Sequence, residues 1–552
     1  MEFNRDLEMA YTENGSPTFL SSGNPCLDFF FHVVPDTPPE TLTRRLELAW
    51  NHDPLKTLKL VCNLRGVRGT GKSDRESYYT AALWMHHHHP KTLASNVASL
   101  GNFGYFKDLL EILFRILEGP DARKLSKTIW EKVKFAPFTL RLKEFHRIHN
   151  NEMKDKRLTR AERVVERFNN DVNFRYLHDC VSNLFAEHLR LDMEHLASGK
   201  IFKISLAAKW CPSLDSSFDK TTLLCETTAR KVFPREEYIE YEGIEEAHYA
   251  YRVRDRLRKQ VYISANAWDS LPYNRVASVA MRLYKEKFLE HDKERFKEYL
   301  EKVKSGNAKI AAGALLPHQI IMALDDADGG QVAELQWRRM VDDMAKMGKL
   351  NNCLAICDVS GSMEGIPMEV SVALGLLVSE LSDDPWKGKL ITFSKHPKLQ
   401  IIEGDSLKAK TDFVREMEWG MNTDFQKVFD WILQVAVNWK LRGDQMIKRL
   451  FVFSDMEFDR ASEKPWKMDY EAIVRKFREC GYGDYVPEIV FWNLRDSEAT
   501  PVPGNQPGVA LVSGFSKNLM KLFLEEGGVL NPEDVMEAAI SGKAYNKLVV
   551  VD

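Results

Sequence analysis

The stretch Leu354-Ala-Ile-Cys-Asp-Val-Ser-Gly-Ser-Met363 decides how the last two hundred or so residues of this 552-residue chain are read. Leu354 to Cys357 is a short apolar run with the length of a buried strand, and Asp358-Val-Ser-Gly-Ser362 reads as a tight polar loop at its carboxyl end. Outward from it the texture repeats. Pro367 to Leu381 reads as helix, Leu390 to Phe393 as strand, Phe425 to Trp439 as helix, and Leu450 to Phe453, Ile489 to Trp492 and Ala510 to Val512 as strands. Strands alternating with amphipathic helices predict an α/β domain, a doubly wound and mostly parallel sheet covered on both faces, over residues 349–552. A further helix is expected around Asn531 to Ser541.

In an open α/β sheet, ligands bind outside the carboxyl ends of the strands. Asp358, Ser360 and Ser362 stand at that position. One carboxylate and two hydroxyls are hard oxygen donors of the kind Mg2+ or Mn2+ prefers, with water in the remaining positions. Two later loops add Thr423, in Gly420-Met-Asn-Thr-Asp424, and Asp455, after Leu450-Phe-Val-Phe-Ser454. Convergence of the three loops would build a metal site with an open coordination position that an anionic ligand completes.

Upstream the pattern is 3.6-periodic from about residue 40 to 340. Asp53 and Pro54 give an N-cap acid and an N1 proline ahead of Leu55, Leu58, Val61 and Cys62, and Thr159 with Glu162 gives a capping-box spacing ahead of Val164, Val165 and Phe168. Residues 275–303 read as one or two charged helices. Residues 1–25 read as a loose arm and 26–348 as a helical-repeat region, with helix pairs stacked as a HEAT-like solenoid.

Composition excludes several classes. Hydrophobic residues at 44%, charged residues at 28% and a net charge of -3 are globular values, which rules out a disordered or collagen-like chain. Residues 351–552 carry 23 Lys/Arg and 31 Asp/Glu, net -8, so the preceding residues are net +5 and are the part a polyanion should prefer. No apolar run approaches the roughly 20 residues that span a bilayer, and the first residues lack a signal-peptide order, so a cytoplasmic or nuclear protein without membrane contact is expected. The eight cysteines form no CxxC pair and read as reduced, mostly buried thiols. The run His86 to His89 before Pro90 could bind a metal, but adjacent histidines on a helix point to different faces, so it reads as a helix end.

Gly66-Val-Arg-Gly-Thr-Gly-Lys72-Ser73 satisfies the phosphate-binding pattern GxxxxGK[ST]. That motif needs a strand before it, whereas Asp53-Pro54 starts a helix, so nucleotide hydrolysis ranks third among the expected functions. Between Arg123 and Arg167 there are 14 Lys/Arg and 6 Asp/Glu, with Arg160, Arg163 and Arg167 on one helical face beside Lys154, Lys156 and Arg157. Such a face can neutralise nucleic-acid phosphates.

The order DxSxS, distal Thr, then Asp after a later strand resembles the metal-ion-dependent adhesion site (MIDAS) of a von Willebrand factor A domain, covering about residues 350–515. By that resemblance Asp358, Ser360, Ser362, Thr423 and Asp455 would hold the metal. Leu64 to Glu76, Gly101 to Asp108 and Ala314 to His318 resemble the TROVE module of the Ro ribonucleoprotein autoantigens, which join a ring of helical repeats to such an A domain, and the resemblance implies that the solenoid here closes into a ring or near-ring. Ser205 to Pro212, Tyr273 to Met281 and His291 to Phe296 look more like an uncharacterised, plant-centred family of the same two parts. The resemblance implies a non-enzymatic ribonucleoprotein-type scaffold that binds structured or misfolded non-coding RNA and recruits a carboxylate-bearing protein partner to its metal. The alternative is a metal-dependent protein-interaction adaptor that binds no RNA.

Overall fold

The structure, a computed structural model, describes residues 8–12, 15, 17–125, 128, 159–214, 216–233, 268–392, 397–417, 425–458, 466–524 and 531–552. The chain forms two compact units. One comprises Met1–Ser77 with Asn266–Asn546, the other Tyr78–Ala265 with Lys547–Asp552. A helical N-terminal part and a C-terminal α/β part are both present, yet compactness divides the chain differently from sequence texture, because the first helices share a unit with the sheet.

The first unit begins with a hairpin of β1 (Met9–Tyr11) and antiparallel β2 (Pro17–Phe19). Its free edge is held by Phe19 N to Thr500 O at 3.1 Å and Thr500 N to Phe19 O at 3.0 Å. Three helices follow: α1 (Pro25–His32), α2 (Pro39–His52) and α3 (Pro54–Arg65), each with proline in its first turn, where the missing N–H would have no partner. Asn24 caps α1 and Asp53 caps α3, the latter accepting from Lys56 N at 2.9 Å as the Asp-Pro signal predicts. Phe29, Phe30 and Phe31 of α1 are fully buried, and α1 packs on the last strand of the sheet.

The division between the units falls within α4 (Arg75–His88). The second unit is helical. It contains α5 (Pro90–Ser95), α6 (Val97–Phe103), α7 (Phe106–Glu118), a helical stretch over 159–170, α8 (Val172–Ala197) and α9 (Leu224–Val232). Phe174, Leu177, Val181, Phe185 and Leu189 make one buried stripe along α8, at the three- and four-residue spacing that keeps side chains on one helical face. Against α8 pack α5 and α9.

Back in the first unit, the charged region resolves into α10 (Ser278–His291) and α11 (Lys293–Lys304), separated at Asp292, and Tyr273, Phe288 and Phe296 form their buried aromatic core. α12 (Gln331–Ala345) leads to the sheet. Its strands are β3 (Cys353–Cys357), β4 (Lys389–Thr392), β5 (Leu399–Ile401), β6 (Arg449–Ser454), β7 (Glu488–Asn493) and β8 (Val509–Ser513), in the order β5-β4-β3-β6-β7-β8. Every pairing is parallel except β4 with β5, an edge strand the apolar runs did not reveal. Every residue of β3, β6 and β8 is buried, as expected for strands covered on both faces. The helix α13 (Ile366–Leu381) packs on β3, β4 and β6. It lies so close that a Cβ on Gly375 would sit 2.1 Å from Cys357 Sγ, and only glycine fits there.

Among the described residues no helix is long and apolar enough to cross a membrane. All eight cysteines are free; six are buried, Cys180 is half-buried and Cys480 exposed.

Candidate metal centre

The chain runs from β3 outward to β4 and β5, then returns to the other side of β3 as β6, so the sheet reverses its winding between β3 and β6. Loops leaving neighbouring strands at such a switch point diverge and leave a crevice. Asp358 ends β3 and Asp455 ends β6. The register pairs Cys357 with Phe453, and Asp358 N donates to Phe453 O at 2.9 Å, which sets the two loops side by side.

Both carboxylates are buried, Asp358 at 2% and Asp455 at 4% exposure. Ser454 bridges them, its hydroxyl donating to Asp358 Oδ2 at 2.8 Å and lying 3.5 Å from Asp455 Oδ1. Ser360 N donates to Asp358 Oδ1 at 2.9 Å, and Glu457 N to Asp455 Oδ1 at 3.1 Å. The Ser360 and Ser362 hydroxyls lie 3.0 Å apart on the solvent side of the pair. Burial, and then the neighbouring Asp455, pushes the Asp358 carboxyl up to about 6, while the bonds from Ser360 and Ser454 act the other way. Met456, between Asp455 and Glu457, has φ +67°, a left-handed turn that carries the chain away from β6.

The site opens on a cleft of about 630 Å³ lined by Tyr11 and Thr12 of the hairpin, Ser362, Asp455, Glu457 and Arg495. Thr12 Oγ1 donates to Phe458 O at 2.8 Å and so ties the hairpin to the loop after Asp455. Ser454, Glu457 and the hairpin were missed in the sequence. Ser454 stands next to Asp455, but nothing in the sequence marks a bridging hydroxyl.

The four predicted residues Asp358, Ser360, Ser362 and Asp455 are therefore brought together, and Thr423 lies outside the described residues. Their chemistry fits a small hard cation: only oxygen donors, two carboxylates to neutralise, and an outlet to solvent. No group of three or more His, Cys, Asp or Glu able to hold a metal occurs among the described residues, and a set of two carboxylates with hydroxyls is not such a group.

The other predicted sites fare differently. Lys154, Lys156 and Arg157 lie outside the described residues. Arg160 and Arg163 both face Glu118, at 3.3 and 3.4 Å, and Arg167 pairs with Asp171 at 2.8 Å. In the glycine-rich stretch, Lys72 N donates to Asn63 O, Ser73 N to Gly66 O and Asp74 N to Leu64 O, so these amides close the end of α3 rather than form an anion cradle. A Cβ on Gly71 would lie 2.1 Å from Gly66 O, which explains a glycine there without any phosphate. Lys72 is 2% exposed, and its amine donates to Phe30 O, Val33 O and Ser513 Oγ. His86 is buried, and burial pushes it down to about 4. His88 stacks on Trp84.

Residues 12–350 match the family model described as "Domain of unknown function (DUF2828)". The chain belongs to that family. Residues 352–548 match a second model, "Domain of unknown function (DUF7788)". The chain is also 27% identical, over 543 residues, to the uncharacterized protein L728 of Acanthamoeba polyphaga mimivirus, an alignment covering 94% of this chain and 84% of that protein. These matches correct the resemblance drawn from the motifs, since neither a TROVE module nor a von Willebrand A domain is detected. The motifs were short, and local physics accounts for them. Polar residues belong at the carboxyl end of a strand in an α/β sheet, and glycines belong where two backbone segments touch.

Proposed function

We propose that this protein is a binding protein that uses Mg2+ or Mn2+, held by Asp358, Ser360, Ser362 and Asp455, to take a carboxylate-bearing partner in the cleft beside the hairpin. The observation that carries this reading is the buried Asp358–Ser454–Asp455 bridge at the switch between β3 and β6. Thr423 would complete the set from its own loop. The metal would supply charge neutralisation and an open position for one anionic oxygen, and we assign the protein no reaction. Its place would be the cytoplasm or the nucleus.

Calorimetry with Mn2+ on the full-length protein tests this. Saturable binding that disappears in folded Asp358→Ala supports the reading, and unchanged affinity in that variant ends it.

RNA binding ranks second. The positive face read from the sequence supports it, but the arginines that can be described sit against Glu118 and Asp171, which leaves less charge for a polyanion. The helical periodicity of residues 26–348 supports a solenoid-like stacking of helices, and a small-angle scattering profile of the full chain would test it.

A further inference from the structure

Within the second unit, two fully buried polar side chains bond to a distant part of the chain rather than to their neighbours alone. Thr92 is 0% and Asn96 2% exposed. The Asn96 amide reads the main chain of Val549 in both directions, Nδ2 donating to Val549 O at 2.7 Å and Oδ1 accepting from Val549 N at 3.1 Å. Thr92 Oγ1 accepts from Val551 N at 2.9 Å and donates to the Asp552 carboxylate at 2.7 Å. Lys91 N and Thr92 N donate to the same carboxylate, each at 2.9 Å, and His89 Nδ1 lies 3.0 Å from Asp552 O.

These contacts have a selectivity. Positions 549 and 551 are read through the backbone alone, and their side chains stay 49% and 54% exposed, as does Val550 at 38%. Leu548 is buried at 5%. The arrangement therefore specifies an aspartate at the third position after the residue whose main chain Asn96 reads, with the side chains between left free. Burial opposes ionisation of Asp552, but the bonds from Lys91 and Thr92 outweigh it and hold the carboxyl below its usual range.

We propose that residues 89–96 form a peptide-binding groove for segments whose extended backbone ends on an aspartate, and that the chain's own Val549–Asp552 is its exchangeable occupant. Exchange follows from the contacts. The three valines bury little apolar surface, so the hold rests on hydrogen bonds that any segment with the same backbone and the same aspartate reproduces.

The test uses the full chain carrying Val549→Pro, which removes the N–H that Asn96 accepts, together with Asp552→Ala. A labelled peptide of residues 545–552 should bind this variant saturably in fluorescence anisotropy, at least tenfold tighter than it binds the wild type, whose own segment competes. The peptide with Asp552→Asn should bind at least tenfold more weakly, and adding Thr92→Val to the protein should abolish binding. A variant with wild-type circular dichroism that does not take up the peptide would overturn the proposal, as would equal affinity for the Asn peptide. Should that variant misfold, full-length Asp552→Asn followed by hydrogen exchange decides instead: faster exchange at residues 548–552 is expected, and unchanged exchange refutes the groove.

Discussion

Replacing Lys72 by alanine removes an amine that is 2% exposed and donates to Phe30 O, to Val33 O at 3.1 Å and to Ser513 Oγ at 2.7 Å. The Ser513 hydroxyl lies 2.9 Å from Phe30 O and 3.3 Å from Val33 O, and its single proton can serve only one of the two carbonyls, so the other loses its side-chain donor. What is lost is the amine's bonds to Ser513 and to the carbonyls, about 1–3 kcal/mol for the buried groups left short, plus about 2 kcal/mol for the packing of the methylene stem. The sum is about 4 kcal/mol. The first unit has roughly 360 residues, and at about 2.1 cal/mol/K per residue its unfolding entropy is about 0.75 kcal/mol/K, so the melting temperature of that unit should fall by about 5 °C. Differential scanning fluorimetry on the full-length variant reads this directly. A fall of less than about 1 °C, or an unchanged melt with loss of ATP binding, would refute the structural role and return the lysine to phosphate chemistry. The same residue gives a pH signature. Burial lowers Lys72 from 10.5 to about 7, opposed by Asp74. Between those values the unfolded chain holds a proton that the folded chain lacks, so stability rises with pH across the window and the full penalty applies below about 7. Measured against Lys72→Met, the wild type should gain stability from pH 7 to pH 10, and a flat difference would contradict the assignment.

Three further expectations are independent of that one. Ser454→Ala should weaken Mn2+ affinity by about 10–100-fold without unfolding the protein, because the hydroxyl orients Asp358 rather than forming the strand, and unchanged calorimetry would remove it from the site. Gly375→Ala should lower stability by about 1–3 kcal/mol in urea titrations, since the new methyl meets Cys357 Sγ, and adding Cys357→Ala should restore part of the loss; additive costs would mean that the contact is not the cause. The metal-dependent reading expects no retention of single-stranded or structured RNA by the full-length protein on filters at about 0.1 M salt. Retention that falls when Arg160, Arg163 and Arg167 are changed to Glu would place RNA first.

The sequence by itself determined the buried strands of the α/β part and the loop that follows the first of them. Runs such as Leu450 to Phe453 are short, apolar throughout and bounded by polar residues, the pattern of a strand buried on both faces, which puts the Asp-x-Ser-x-Ser after Leu354 to Cys357 at a strand's carboxyl end. Local rules likewise placed the start of α3 at Asp53-Pro54, because capping is a short-range matter of one side chain and the next three amides. Other features needed the tertiary structure. The edge strand β5 has three residues with exposed or half-exposed side chains, so no apolar run announces it, and its existence depends on β4 offering an unpaired edge. The hairpin over residues 9–19 is held by Thr500, nearly five hundred residues away, and no window of sequence contains both partners. The charge on Arg160 and Arg163 was legible, but the acid that faces them, Glu118, belongs to another helix. The glycine-rich stretch matched a phosphate loop letter by letter, and only the packing of Lys72 against α1 and β8 decided its role. In each case the deciding partner is distant in the chain, and a pattern read along the sequence carries no information about which distant groups the fold brings within hydrogen-bond reach.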